Sequence, residues 1–122
     1  MVGLGSGIKL DYLVGIHITS QSRIVSVNLI NGDFGCENQY KPQDVLKKER
    51  GFKSFVISDW GGTHSMEKAS TAGLDQEQPM ADFFGPKLKA AVEAGQVPMS
   101  EIDDHARRVL YAEFLSGGCR RT

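Results

Sequence analysis

The sequence feature that most constrains the fold is the stretch 55–62, which reads Phe-Val-Ile-Ser-Asp-Trp-Gly-Gly. Its three leading apolar residues are too few for a buried helix and too apolar for a solvated loop. They predict a strand buried on both faces, as in parallel sheets. Asp59 follows where this strand leaves the sheet, at the end where parallel α/β proteins build their chemistry. A carboxylate at this position also suits a helix cap, so position alone leaves both roles open.

Length and charge exclude several classes of function. The 122 residues suffice for one small domain. The 14 basic and 15 acidic residues give a net charge of -1 and form no basic stripe, so we expect no nucleic-acid partner. No apolar run approaches the roughly 20 residues of a membrane span, so we expect no membrane partner. Residues 1–7 do not resemble a secretion signal, and the localisation stays open.

The cysteines predict neither a disulfide framework nor a metal site. Cys36 and Cys119 are the only two cysteines, and they lie far apart in the sequence. No C-x-x-C spacing typical of metal ligands is present. We therefore expect two free thiols.

Alternating strand and helix patterns predict the α/β class with a parallel sheet. Strands are predicted at residues 24–28 and 52–60, with a polar strand-like piece at 74–79. Helices are predicted at residues 42–50, from Thr63 or Ser65 to residue 72, at 86–94, and from Ser100 to residue 116. Residues 8–18 are a weaker strand candidate. Asn31-Gly32 is a turn signal, but no alternating partner strand follows it, so we predict a loop and not a hairpin.

The last predicted helix has two distinct faces. Its apolar residues recur at helical spacing and predict a buried stripe of Ile102, Ala106, Val109, Leu110 and Phe114. Its charged residues, Asp103, Asp104, Arg107 and Arg108, are expected to form a solvated face.

Several motifs together resemble glycoside hydrolase family 3, the β-glucosidase family. Ser58-Asp59-Trp60-Gly61, preceded by residues 51–57, resembles the family's nucleophile motif. The other matching pieces occur in the family's order along the chain. Residues 25–28, 31–32 and 36–38 resemble the family's S-Y-N, N-G and C-E-N. Residues 72–79 resemble A-G-L-D-M-E-M-P, residues 84–98 resemble L-x-x-A-V-x-x-G-x-V-P, and residues 102–110 resemble D-x-x-V-R-R-I-L.

The resemblance implies a part of a (β/α)8 TIM-type barrel, roughly strands six to eight with their helices. It covers residues 24–118 as a partial barrel domain. Residues 1–23 stay unassigned, and residues 119–122 form a basic tail. Such a part exposes strand edges, through which we expect self-association.

The resemblance also implies a retaining glycosidase that hydrolyses terminal β-glycosidic bonds without a cofactor or metal. Asp59 is then the catalytic nucleophile, while Trp60 and Asn28 bind a β-glycoside or oligosaccharide substrate. Two departures from the family pattern weaken this implication. Val27 replaces the Tyr of S-Y-N, and Gln76 and Gln78 replace the methionines of D-M-E-M-P.

The catalytic acid that the family needs is not recognisable in this sequence. Among the glutamates, Glu37, Glu67 and Glu77 are the candidates for this acid, and Glu77 has the best position. The family's Lys-His sugar-binding motif is also missing, so we expect little or no activity from this chain alone. The alternatives are a non-catalytic barrel remnant that binds sugar or pairs with another chain, and an unrelated receiver-like α/β domain.

Overall fold

The computed structural model describes residues 16–18, 22–25 and 29–117. The strands are β1 (Ile16–Ile18), β2 (Ser22–Val25), β3 (Leu29–Ile30), β4 (Asp33–Phe34) and β5 (Phe55–Ser58). The helices are α1 (Tyr40–Glu49), α2 (Glu67–Thr71), α3 (Pro86–Glu93) and α4 (Met99–Ser116), and Gly35–Glu37 forms a 3₁₀ turn. None of the helices in these ranges is long and apolar enough to cross a membrane. Asn28, Val27, Cys119 and the tail 119–122 lie outside the described residues.

The main sheet confirms the α/β class. Its strand order is β1-β2-β5, with β1 antiparallel to β2 and β2 parallel to β5. The parallel register pairs Ser22 with Phe55 and Val25 with Ser58. On β5, Val56 and Ser58 are buried, whereas the opposite face is half-buried. The prediction that both faces are buried is therefore wrong for the face that carries Phe55 and Ile57.

Residues 29–34 form a β-hairpin, so the prediction of a loop at Asn31-Gly32 was wrong. Strands β3 and β4 pair antiparallel, with Leu29 opposite Phe34 and Ile30 opposite Asp33. Asn31 and Gly32 both have positive φ angles, 52° and 91°, as a two-residue turn of the primed type requires. Each strand has only two residues, which is too short for an alternating pattern to be visible in the sequence.

Helix α1 begins two residues before its predicted start, and its hydrogen bonds run from residue i to residue i−5. The Asp44 N–H donates to the Gln39 carbonyl at 3.2 Å, and the Arg50 N–H to the Val45 carbonyl at 3.0 Å. On the surface of α1, Lys48 and Asp44 form an ion pair, with 2.8 Å between Nζ and Oδ1.

The later helices begin without side-chain caps. Helix α2 starts at Glu67, after the predicted start at Thr63 or Ser65, and neither of these residues caps it. Helix α4 follows Pro98 and starts one residue before Ser100, its predicted start. The bounds of α3 and α4 agree with the predicted spans to within one residue.

Two apolar clusters form the described core. The first joins the sheet to α1 and α2, and consists of Val25, Cys36, Leu46, Val56, Ala69 and Leu74. The second joins α3 to the start of α4, and consists of Leu88, Ala91 and Val97. Phe84 packs against both clusters and links them.

The apolar stripe predicted for α4 is largely open in the described structure. Leu110 is 53% exposed and Phe114 is 67% exposed. Ala106 is also exposed, and Ile102 and Val109 are half-buried. The buried residues of α4 are instead His105 and Ala112. The prediction of a buried stripe is therefore wrong for Ala106, Leu110 and Phe114 and holds only in part for Ile102 and Val109.

Candidate active site

The backbone around Asp59 is held from both sides of β5. On one side the Asp59 N–H donates to the Val25 carbonyl at 2.9 Å, which extends the parallel pairing of β5 with β2. On the other side the segment Gln76–Gln78 runs beside the strand. There the Ser58 N–H donates to the Gln76 carbonyl at 2.9 Å, and the Gly61 N–H donates to the Gln78 carbonyl at 3.0 Å. The polar piece predicted as strand-like therefore pairs with β5, in parallel at an isolated bridge between Ile57 and Gln76.

The side chain of Asp59 is exposed at the carboxyl end of the strand. Its Oδ1 accepts a hydrogen bond from the backbone N–H of Trp60 at 2.7 Å. The next helix, α2, begins only at Glu67 and follows Met66. Asp59 is therefore not a helix cap, which excludes one of the two roles that its sequence position left open.

The turn after Asp59 displays Trp60 and is itself firmly held. The indole of Trp60 is 73% exposed. Gly61 has a φ of +69°, a left-handed conformation that a glycine adopts without strain, and the Gly62 N–H closes the turn on the Asp59 carbonyl at 2.9 Å. Further along, the His64 ring stacks on Phe34 with 3.6 Å between the ring centroids, so the β3–β4 hairpin supports this loop.

A buried thiol lies among the carboxylates near this strand end. Cys36 is a free cysteine with no exposed surface. Burial is the largest cause that raises its pKa, to about 12, and the negative charges of Glu37, Asp59 and Glu77 raise it further. Asp59 and two of the three acid candidates, Glu37 and Glu77, thus all lie near enough to Cys36 to influence its thiol.

The described contacts of the glutamates do not single out a catalytic acid. Glu77 Oε2 accepts hydrogen bonds from the backbone N–H groups of Phe83 and Phe84, at 2.9 and 2.7 Å. Those contacts make Glu77 the acceptor that closes the turn before α3. Glu67 is exposed in the first turn of α2. Glu37 is half-buried in the 3₁₀ turn, and its Oε1 has no hydrogen-bond partner among the described residues.

A second group of polar residues, which the sequence did not predict, is buried behind β5. Asp75 Oδ1 accepts a hydrogen bond from Lys47 Nζ and another from His105 Nδ1, each at 2.7 Å. The other ring nitrogen of that histidine, Nε2, lies 2.8 Å from the Ser70 hydroxyl oxygen. We call these four residues, Lys47, Ser70, Asp75 and His105, the buried network.

The buried network contains a serine, a histidine and an aspartate in the order of a nucleophile, a base and an orienting carboxylate. Ser70 has no exposed surface, so no substrate reaches its hydroxyl. A metal ion is no better suited, although ligating atoms of Asp75, Asp104 and His105 lie within 4.8 Å of one another. The Lys47 ammonium group lies 2.7 Å from Asp75 and 3.9 Å from Asp104, so a fixed positive charge already compensates both carboxylates.

Two residues of α4 that were predicted to be solvated instead join the helix to β5. Arg108 Nε donates to Asp104 Oδ2 at 2.7 Å, and the guanidinium group also donates to the carbonyls of Phe52 and Ser54. Burial by itself would raise the pKa of the Asp104 carboxyl. The hydrogen bond and charge of Arg108, with the charges of Lys47 and Arg107, outweigh burial and hold that pKa below its ordinary value of 3.8. The prediction of a solvated face holds for Asp103 and Arg107, which are exposed.

A weak signal of the buried network is present in the sequence. His105 lies three residues after Ile102 and four before Val109, so it falls on the apolar face of α4. Lys47 has no comparable signal, because the neighbouring Lys48 is exposed and pairs on the helix surface. The partners of Asp75 lie 28 and 30 residues away, and only the folded chain brings them together.

Comparison with known proteins finds β-glucosidases that share this sequence and fold. No family model matches the chain. The β-glucosidase cel3A of Pyricularia oryzae is 43% identical over 101 residues, which cover 78% of this chain and 14% of that protein. Among solved structures, a glycoside hydrolase family 3 β-glucosidase of Neurospora crassa superposes with a TM-score of 0.67 at 38% identity, over 71% of this chain and 11% of that one. Over most of its length, this chain is therefore similar to β-glucosidases of glycoside hydrolase family 3.

The similarity to family 3 is confined to a short part of the relatives. A β-glucosidase of Streptomyces venezuelae, solved in complex with D-glucose, matches with a TM-score of 0.75 and 33% identity. That match covers 80% of this chain and 14% of the solved one. The chain thus spans about a seventh of the length of the relatives it matches.

Proposed function

We propose that this chain carries the nucleophile-bearing part of a retaining β-glucosidase, with Asp59 as the nucleophile and Trp60 and Asn28 as sugar-binding residues. The observation that carries the proposal is the exposed Asp59 carboxylate at the carboxyl end of a strand paired in parallel. The β-glucosidase relatives, one of them holding D-glucose, support a β-glycoside substrate. Asn28 lies outside the described residues, so its role rests on the family resemblance.

The environment of Asp59 suits attack on an anomeric carbon. Trp60 N–H orients Oδ1, while Oδ2 has no hydrogen-bond partner among the described residues and is available to attack. Attack by Oδ2 forms a glycosyl ester, and the leaving oxygen departs with the bonding electrons and takes a proton from an acid. Water then hydrolyses the ester. The exposed indole of Trp60 offers a flat apolar surface to a sugar ring beside the reacting carboxylate.

The acid in this reaction is proposed to come from a part of the active site that these residues do not supply. In a retaining enzyme it must lie about 5 to 5.5 Å from the nucleophile. Glu77 is engaged by two backbone N–H groups, which favours a structural role for it. Loss of acid catalysis alone costs about 10²- to 10⁴-fold in rate. We therefore propose that the chain alone has little or no turnover.

We also propose that residues 24–118 form part of a (β/α)8 barrel, roughly its strands six to eight, with β5 as the seventh strand. Residues 1–23 then remain unassigned, and residues 119–122 form a basic tail. The parallel pairing of β2 and β5, with α1 between them in sequence, supports this proposal. Strand edges left open in such a part would allow copies of the chain to associate.

An activated inhibitor tests the nucleophile without requiring the acid. A 2-deoxy-2-fluoro-β-glucoside with a dinitrophenolate leaving group loses that group without protonation, so labelling reports nucleophilic attack alone. Peptide mapping by mass spectrometry should find the adduct on Asp59 and none in the Asp59→Asn variant. Asp103→Asn, which removes an exposed carboxylate on α4, is the matched control and should label like the wild type.

A chimera separates the proposal from its alternative. Residues 24–117 would replace the matching segment of the Streptomyces venezuelae relative, and labelling and hydrolysis of an aryl β-glucoside would be measured. Labelling of Asp59 in the chimera supports the proposal whether or not the isolated chain reacts. An adduct on another carboxylate contradicts the assignment of Asp59. A folded chimera that binds glucose but never labels would instead favour a non-catalytic sugar-binding module.

A further inference from the structure

Asp75 holds β5 at a point three residues before Asp59. Its Oδ2 accepts a hydrogen bond from the Val56 N–H at 2.7 Å, and its own N–H donates to the Val56 carbonyl at 2.9 Å. Both backbone groups of Val56, a residue with no exposed surface, are therefore bound by one aspartate. The Asp75 carboxylate thus accepts the Val56 hydrogen bond that a backbone carbonyl of a neighbouring strand would ordinarily accept.

The contacts continue from Asp75 along the strand to the turn beyond Asp59. The Gln78 N–H donates to Ser58 Oγ at 2.8 Å, in addition to the backbone bonds of Ser58 and Gly61 to this segment. Segment 75–78 thus follows β5 from its buried middle to its exposed end. Because this segment bonds to Ser58 and Gly61, on either side of Asp59, a shift of Asp75 would move one of the two supports of the backbone around Asp59.

Three helices fix the position of Asp75. Lys47 reaches it from α1 and His105 from α4, while Ser70 of α2 holds the far nitrogen of the His105 ring. The Asp75 side chain has no exposed surface, and that of Lys47 is 2% exposed, so water does not substitute for any of these contacts. A buried carboxylate with all its hydrogen bonds made to fixed partners has one orientation only.

We propose that Asp75 is a positioning residue for the nucleophile, and that the buried network sets the place of Asp59 through β5 and segment 75–78. This inference rests on the proposed function of Asp59. The network does not touch substrate, so it acts on the reaction only through geometry. A misplacement of about 1 Å in a reacting group costs on the order of 10²-fold in rate.

The test combines a structural and a chemical measurement on the full chain. Asp75→Asn removes the charge and keeps the shape of the side chain, and Leu88→Ala is the control for general loss of stability. Leu88 belongs to the second apolar cluster, between α3 and α4, and not to the cluster that contains β5. Amide hydrogen exchange is measured by NMR at Val56, Asp59 and Gly61, and the labelling rate is measured with the activated fluoroglucoside.

The expected result is a local effect of Asp75→Asn that Leu88→Ala does not reproduce. Relative to amides of α3, exchange at Val56, Asp59 and Gly61 should accelerate by about tenfold or more in Asp75→Asn. In Leu88→Ala these amides should keep their protection relative to the rest of the sheet. The labelling rate should fall by about tenfold or more in Asp75→Asn, and by less than about threefold in Leu88→Ala.

A pair of His105 variants decides the question if Asp75→Asn does not fold. His105→Leu removes the donor to Asp75 Oδ1, whereas His105→Asn keeps an N–H group in the place of Nδ1. Exchange at Asp59 and Gly61 should accelerate in His105→Leu and return towards the wild-type rate in His105→Asn. Equal exchange at these amides in both variants would overturn the inference.

The two measurements distinguish the inference from the proposed function. Wild-type labelling at Asp59 with unchanged exchange and labelling in Asp75→Asn would overturn the positioning role and leave the nucleophile intact. Accelerated exchange at Asp59 in a chain and chimera that never label would overturn the nucleophile, and the network would then support β5 without a role in catalysis.

Discussion

Asp59 and Asp75 show how different the environments of two carboxylates beside the same strand are. Asp59 is exposed and is held by a single backbone N–H. Asp75 is buried and accepts three hydrogen bonds, from an ammonium group, an imidazole and a backbone N–H. Because a nucleophile needs an available oxygen, the less bonded Asp59 suits the chemistry, whereas the fully bonded Asp75 suits support of the structure.

Cys36 is predicted to resist alkylation in the folded chain. Only the thiolate reacts, and with a pKa of about 12 its fraction at pH 8 is about 10⁻⁴. An ordinary cysteine, with a pKa of about 8.5, is roughly one quarter thiolate at that pH. Iodoacetamide should therefore modify Cys36 at least about 10³-fold more slowly in native buffer than in urea.

Intact-mass kinetics in a Cys119→Ser background make Cys36 the only reporting thiol in this measurement. The same chain in urea is its own control. Similar rates in native buffer and in urea would show that the thiol is neither buried nor surrounded by the three carboxylates.

At the scale of elements, the connection from α2 to segment 75–78 depends on a glycine. Gly73 has a φ of +97°, and a Cβ atom there would lie 2.9 Å from Gln43 Oε1 and 3.3 Å from the Gln43 backbone nitrogen. The chain therefore leaves α2 in close contact with α1. That contact sets the approach of Leu74 and Asp75 to β5.

Gly73→Ala should destabilise the chain more than Gly95→Ala does. Gly95 also has a positive φ, +76°, but a Cβ atom there meets nothing within 4 Å. The left-handed backbone should therefore lower the free energy of unfolding of both variants by about 1 kcal/mol. The contact of the new Cβ with Gln43 should lower it by about 1 kcal/mol more in Gly73→Ala alone. Urea unfolding measures both, and Gln43→Ala should recover part of the extra loss. Equal losses for the two glycines would show that the contact carries no energetic cost.

The sequence predicted the elements whose signals are local and missed the contacts that are distant. The apolar run before Asp59 is a local signal, and β5 lies where it indicated; α3 and α4 likewise begin and end within one residue of their predicted bounds. The β3–β4 hairpin was missed because two-residue strands show no alternation. Lys47 and His105 were missed because their burial depends on a carboxylate 28 or 30 residues away.

At the scale of the whole molecule, charged contacts of α4 complete the assembly that the apolar clusters begin. The second half of α4 has an open apolar face, with Leu110 and Phe114 exposed, so apolar packing alone holds it weakly to the rest of the described chain. Asp104 and Arg108 supply the missing attachment, because Arg108 reaches the carbonyls that precede β5.

The contribution of Asp104 predicts a specific dependence of stability on pH. Its pKa in the folded chain lies below the ordinary value, so the folded state favours the ionised carboxyl more than the unfolded state does. The resulting stabilisation is fully present above the unfolded pKa, about 3.9, and is lost as the pH falls through that value towards the folded pKa. Asp104→Asn should cost about 1 kcal/mol at pH 7 and progressively less between pH 5 and pH 3.

Urea unfolding of the wild type and of Asp104→Asn at pH 7, 5, 4 and 3 measures this convergence. The matched control is Asp103→Asn, because Asp103 is exposed on the same helix and makes no ion pair among the described residues. Its stability curve should run parallel to that of the wild type at every pH. If the curve of Asp104→Asn also ran parallel, the ion pair with Arg108 would contribute nothing to the attachment of α4. The attachment of α4 would then rest on the contacts of His105, the hydrogen bonds from Arg108 to the carbonyls before β5, and the second cluster.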